Sequence, residues 1–126
     1  MNNTFISEQA KEFRTKYNLS NSQNMVTRTY QKNLIVEEFK EVLEAEGQLW
    51  RNNITTHEEL LKEVADLVYV CYQYAENMGW FLDEALDRVH KSNMSKLGDD
   101  GKPIYREDGK VLKGPNYTPP NLEDLV

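Results

Sequence analysis

A chain of 126 residues is the length of one domain with one core, and its 15 Lys and Arg against 21 Asp and Glu leave a net charge of −6. That balance argues against long-range attraction to nucleic acid or an anionic membrane, so an anionic substrate would need a metal ion as intermediary. The single cysteine, Cys71, rules out an intramolecular disulfide framework and suits a buried thiol in a reducing compartment, the cytoplasm. No apolar run approaches the roughly 20 residues of a membrane span, and MNNTFISEQA lacks the basic start and apolar stretch of a signal peptide.

Helix formers with a modest apolar stripe predict a first helix from Ser7 to about Tyr17, and NLSNSQN then breaks the pattern. A second helix is predicted from about Thr27 to Trp50, where Ile35, Phe39, Val42, Leu43 and Trp50 recur at helical spacing as a stripe to be buried. After the loop RNNITT, Thr56 and Glu59 match a capping box, so a third helix starts near His57 and runs to Gly79, a suitable stop. A fourth is expected from about Leu82 to Leu97, with Asp83 and Glu84 well placed in its first turn.

Beyond residue 97 the chain changes character, holding most of the glycines and all four prolines. Two short echoes, DGKPI and DGKVL, flank an REDG turn in which Asp108 and Gly109 could close a small β-hairpin. Tyr105, Tyr117 and the closing leucines need something to pack on, so this arm is expected to lie over the helices or a neighbouring subunit. The expected fold is all-α: a single domain, with a bundle of four to five helices over 1–97 and an irregular arm over 98–126.

The second and third helices carry acids at the same three-residue offset. At about 100° per residue, Glu38 falls at the edge of the apolar arc of its helix and Glu41 lies one turn on. Glu63 projects between Val70 and Tyr74, inside the apolar arc, with Asp66 a turn away and otherwise only apolar residues from Val64 to Cys71. Residues three apart on a helix are neighbours, so an antiparallel pair of helices could bring Glu38, Glu41, Glu63 and Asp66 together. Burying several like charges forces protonation unless a cation balances them, and oxygen-only ligands select Mg²⁺, with Mn²⁺ able to substitute. Such an ion can bridge to phosphate. Taken singly, Glu37, Glu44 and Glu46 read as ordinary solvated or fraying positions, and neither His57 nor His90 completes a Cys/His ligand pattern. No Glu-x-x-His pair supports a di-iron bundle, and no GxxxxGK[ST] loop supports a P-loop nucleotidase.

The combination Glu37-Glu38-x-x-Glu41, then after 21 residues Glu63-x-x-Asp66, resembles the EExxE…ExxD signature of the MazG-like all-α nucleoside triphosphate pyrophosphohydrolases. The segment VHKSNMSKL, followed by DGKxL-KGPNYxPPxL, is similar to the C-terminal half of small stand-alone members, including phage-borne and integron-associated ones. Together the resemblance covers about residues 25 to 122. It implies that Glu38, Glu41, Glu63 and Asp66 bind Mg²⁺ and that Glu37 assists in binding metal or orienting water. It further implies that Asn93 and Lys96, with Lys91 and Arg88 as weaker candidates, reach the triphosphate or sugar.

The reaction so implied is hydrolysis of a (d)NTP to the monophosphate and pyrophosphate, in nucleotide-pool control or house-cleaning, with purine dNTPs such as dGTP as candidate substrates. Trp50, Trp80 and Tyr117 are candidates to stack on a base, although a core or interface position is the simpler account of each. The superfamily also includes dimeric dUTPases and phosphoribosyl-ATP pyrophosphohydrolases, and the last of these is the alternative enzyme. A non-catalytic helical metal-binding interaction module is the alternative outside enzymology. A homo-oligomer, tetramer or dimer, is expected, with the site close to a subunit interface.

Overall fold

A computed structural model describes residues 5–51 and 55–126; residues 1–4, the start of the stretch in which no signal peptide is expected, and residues 52–54, the middle of the RNNITT loop, lie outside the described part. Four α-helices follow in order, α1 (Ile6–Lys16), α2 (Met25–Arg51), α3 (His57–Met78) and α4 (Leu82–Met94), before a short 3-10 turn at Glu123–Leu125. No strand occurs among the described residues. The chain forms two compact units, Met1–Trp80 and Phe81–Val126, so the last helix shares a unit with the arm.

In the first unit the helix ends sit where local chemistry puts them. The N–H of Thr27 donates to Asn24 Oδ1 at 2.8 Å at the start of α2. The N–H of Glu59 donates to Thr56 Oγ1 at 3.1 Å, the first half of the expected capping box. Gly79 ends α3 at φ 78°, a conformation that strains any L side chain, and its N–H and that of Trp80 donate to Glu76 and Ala75. Joined by a short connection, α2 and α3 pack along each other as a helical hairpin, and α1 lies on α3.

The core of this unit is narrow. Its buried apolar residues are Ala10, Ala45, Tyr72, Ala75 and Met78. The α2 stripe expected to be buried is not: Ile35 and Val42 are half-buried, while Phe39, Leu43 and Trp50 are exposed, Trp50 by 79%. Each helix of so thin a layer has one face covered, and α2 spends that face on the hairpin seam, where Gln31, Glu38, Glu41 and Ala45 lie. Leu61, Val64 and Val68 leave α3 with an exposed apolar face as well.

A polar network fixes the α1–α2 linker. Arg14, only 3% exposed, donates from Nε to Asn21 Oδ1 at 2.6 Å, from Nη1 to Gln73 Oε1 at 3.3 Å, and from Nη2 to Ser20 O and Asn77 Oδ1 at 3.2 and 3.3 Å. Asn77, 2% exposed, clasps the backbone of Ser22, accepting its N–H at 2.9 Å and donating to its carbonyl at 2.8 Å. Burial lowers the Arg14 pKa, with Glu76 opposing the shift.

In the second unit the two sequence echoes form the same turn twice. The N–H of Gly98 donates to Lys102 O and the N–H of Gly101 to Gly98 O; eight residues on, Arg106 donates to Lys110 O and Gly109 to Arg106 O. In each, the Asp before the glycine accepts the N–H two residues ahead, Asp100 from Lys102 at 2.9 Å and Asp108 from Lys110 at 3.2 Å, and the glycine has positive φ. The predicted hairpin is therefore reduced to one antiparallel bridge, Tyr105 with Val111, closed by a three-residue loop whose last member is Gly109.

Helix α4 ends at Met94 rather than at the expected Leu97. Ser95 Oγ donates to Ser92 O at 2.6 Å and accepts the N–H of Thr118 at 2.9 Å, while Lys96 O accepts the N–H of Gly114 at 2.8 Å, so the arm takes the groups that a further turn would use. Gly114 approaches so closely that a Cβ there would lie 2.4 Å from Leu97 O. Tyr117 is half-buried, with Lys113 Nζ 4.7 Å from its ring centroid, whereas Tyr105 is 61% exposed and lacks the packing expected for it within its unit.

Candidate metal centre

Pairing α2 with α3 brings Glu38, Glu41, Glu63 and Asp66 to one place: a carboxylate oxygen from each lies within 4.8 Å of the others, and all four residues are half-buried. The three-residue offset on each helix is what allows this, since it stacks two acids on one face and the hairpin sets the faces against each other. The cluster could bind a metal ion. Glu38 Oε2 and Glu63 Oε2 are buried and accept no hydrogen bond from the described residues. Buried carboxylate oxygens without donors are costly, and four oxygen ligands suit a hard divalent cation, so the residues present fit Mg²⁺ or Mn²⁺.

The electrostatics agree with crowding. The Glu63 carboxyl is held above its ordinary range, first by burial and then by a carboxyl–carboxyl hydrogen bond with Glu41; Lys62 opposes the shift, and the charges of Glu41 and Asp66 add to it.

Lys62, which carries no part of the acidic motif, also borders the cluster. Its Nζ lies 2.9 Å from Asp66 Oδ2 and 3.6 Å from Glu63 Oε1, and hydrogen bonding to Asp66 raises its pKa. The signal available in the sequence was Lys62 four residues before Asp66, on the same helix face.

Glu37, the first acid of the motif, is exposed and outside the group of four. It lines a depression of about 410 Å³ with Asn33, Val36, Lys40, Glu41 and Glu44. On the other side of Glu41, a second depression of about 440 Å³ runs along Glu44, Ala45, Gln48, Thr55, Glu59, Lys62 and Glu63. Glu41 belongs to both, so open space flanks the acids.

The expected phosphate ligands belong to the second unit. Lys91 is exposed on α4 and paired with Asp87 at 2.8 Å. Arg88 is held by Glu84 at 3.0 Å, by both oxygens of Asp124 and by Asn121 O. Asn93 is exposed near the end of α4, and Lys96 is half-buried just beyond it, not on the helix as expected. Of the aromatic candidates, Trp80 packs on Tyr74 with ring centroids 6.0 Å apart, and Trp50 is exposed at the end of α2. His57 and His90 are exposed, and Cys71 is a half-buried free thiol whose pKa burial raises. No helix among the described residues is long and apolar enough to cross a membrane.

Comparison with known proteins adds a family. The model of the phosphoribosyl-ATP pyrophosphohydrolase family matches residues 2–93, which include all five acids of the motif, Lys91 and Asn93, and leave out Lys96 and the arm. That family is part of the MazG-like all-α superfamily that the motif resembles. No curated protein matches the chain.

Proposed function

We propose that this chain, which belongs to the phosphoribosyl-ATP pyrophosphohydrolase family, is a Mg²⁺-dependent pyrophosphohydrolase that hydrolyses the α–β phosphoanhydride of a nucleoside triphosphate group to a monophosphate and pyrophosphate. The observation that carries the reading is the cluster of Glu38, Glu41, Glu63 and Asp66, with two buried carboxylate oxygens that no donor among the described residues satisfies. Mg²⁺ held by these four residues supplies a Lewis acid for the substrate's phosphate oxygens. The acids fix where the triphosphate lies, because in a chain of net charge −6 they can meet phosphate only through a cation.

The flanking depressions have room for phosphates and for water. Glu37, on the rim of one of them, is the carboxylate free to orient the attacking water and accept its proton. Lys91, Asn93 and Lys96 are the candidates to receive the outer phosphates or the sugar. The exposed apolar faces of α2 and α3 support assembly as a homo-oligomer, tetramer or dimer.

The family match favours phosphoribosyl-ATP as the substrate. Free (d)NTPs, dGTP among them, share the scissile bond, and the EExxE…ExxD motif alone supports them equally. The test is a product assay on phosphoribosyl-ATP, dUTP and the eight common dNTPs and NTPs, with Mg²⁺ or with EDTA, separating pyrophosphate from phosphate. Pyrophosphate that appears with Mg²⁺ and is abolished by EDTA is expected, fastest from phosphoribosyl-ATP. A faster dNTP would turn the reading to nucleotide-pool control, and no pyrophosphate from any substrate would leave a metal-binding interaction module.

A further inference from the structure

We propose that Lys62 is the resident counter-ion of the acid cluster, and that a divalent cation enters the four carboxylates by displacing its ammonium from Glu63 and Asp66. The inference rests on the metal-binding reading above and adds to it a residue outside the acidic motif.

Three observations carry it. First, Lys62 Nζ touches two of the four acids, at 2.9 Å to Asp66 and 3.6 Å to Glu63. Second, one ammonium is an incomplete answer to four carboxylates: it meets Glu63 Oε1 and Asp66 Oδ2, while Glu38 Oε2 and Glu63 Oε2 stay buried without a donor among the described residues. Third, the Lys62 side chain is 62% exposed and borders the depression of about 440 Å³, so it can leave without disturbing the core.

A dication at the carboxylates would lie within a few ångströms of that ammonium and repel it strongly. The flexible four-carbon stem lets the charge swing out. It would stay tethered beside the depression that Glu41, Gln48 and Glu59 also line, where an anionic phosphate would replace the acids it had given up. Before metal arrives Lys62 would hold the acids together; afterwards it would become a cation free for substrate.

The test measures Mn²⁺ binding to the whole protein by calorimetry and by electron paramagnetic resonance, with melting temperatures in EDTA and in Mn²⁺. Lys62→Ala is compared with Lys62→Arg, which keeps the charge, and with Lys40→Ala, which removes a charge from the neighbouring depression. If Lys62 occupies the acids about nine-tenths of the time, Lys62→Ala binds Mn²⁺ about tenfold more tightly, since apparent affinity scales with the competent fraction. Lys62→Arg should stay near wild type and Lys40→Ala should gain much less. The metal-free Lys62→Ala protein should melt earlier while its Mn²⁺ form melts with wild type, a pair of opposite effects that a simple packing defect does not give. Equal gains for Lys62→Ala and Lys40→Ala would reduce the effect to overall charge and overturn the proposal, as would weaker binding by Lys62→Ala. Failure of the wild type to bind Mn²⁺ at all would instead overturn the metal-binding reading, and this inference with it.

Discussion

The first unit removes charge from water in two places and treats them in opposite ways. Around Arg14 one cation meets amide and carbonyl oxygens from Asn21, Gln73, Ser20 and Asn77, and each of its three nitrogens donates a hydrogen bond. Around Glu63 four acids meet one lysine, two buried oxygens accept nothing from the described residues, and the Glu63 carboxyl is pushed above its ordinary range. A charge ringed by oriented dipoles is complete and serves to order the chain, whereas like charges crowded together are complete only with a ligand. The difference separates a polar cluster that is satisfied within the fold from one that fits a ligand, without reference to any relative.

The largest effect should come from the incomplete cluster, in activity and not in stability. Glu63→Gln and Asp66→Asn should each lower turnover by about 10³-fold, the upper scale for removing one group that stabilises charge in a transition state. The same variants in EDTA should melt at or above the wild-type temperature, because a crowding charge is gone. Circular dichroism melts beside the product assay decide it, and a loss of stability equal to that of a core mutation would make the acids structural.

Arg14→Leu should do the reverse. Removing the guanidinium leaves several buried oxygens without donors, at about 1–3 kcal/mol for each that water cannot reach. We expect a loss of about 3 kcal/mol in urea unfolding, with metal affinity unchanged once the protein is folded. A neutral result would mean that the α1–α2 linker is held by something other than this network.

The smallest effect, and the finest comparison, is in pH. Glu63 titrates above its ordinary 4.5 in the folded chain, so the folded state holds more protons than the unfolded one between those two values. Its contribution to stability is therefore fully present below 4.5 and is lost as pH rises through the raised value. Metal runs the other way, since it binds the ionised acids. The metal-free protein should lose stability as pH rises above 4.5 through the raised Glu63 value, and the gain in melting temperature on adding Mg²⁺ should grow over the same interval. A Mg²⁺-induced gain that is flat in pH would show that the ion binds elsewhere.

What the sequence made legible was local. The Thr56 cap, the Gly79 stop and the two DGK turns follow from hydrogen bonds that close within a few residues, and the three-residue offset of the acids follows from helical geometry. What it hid depends on which faces meet. Phe39, Leu43 and Trp50 have the period of a buried stripe, yet the seam with α3 takes the neighbouring face. Arg14 reads as an ordinary charge on an amphipathic helix because its partners lie up to 63 residues away. Lys62 reads as solvent-facing until its neighbours across four residues are seen to be crowded acids. The end of α4 is hidden for the same reason, since Ser95 and Lys96 are claimed by an arm that arrives about twenty residues later.

All four acids come from consecutive helices, between positions 38 and 66 of a 126-residue chain. Contacts so near in sequence close with little loss of chain entropy and form early. The centre can therefore exist as soon as one helical hairpin has zipped, before α1 or the arm has found its place. A cation gripped at that stage would quicken folding as well as slow unfolding, so that added Mg²⁺ should move both limbs of a chevron plot.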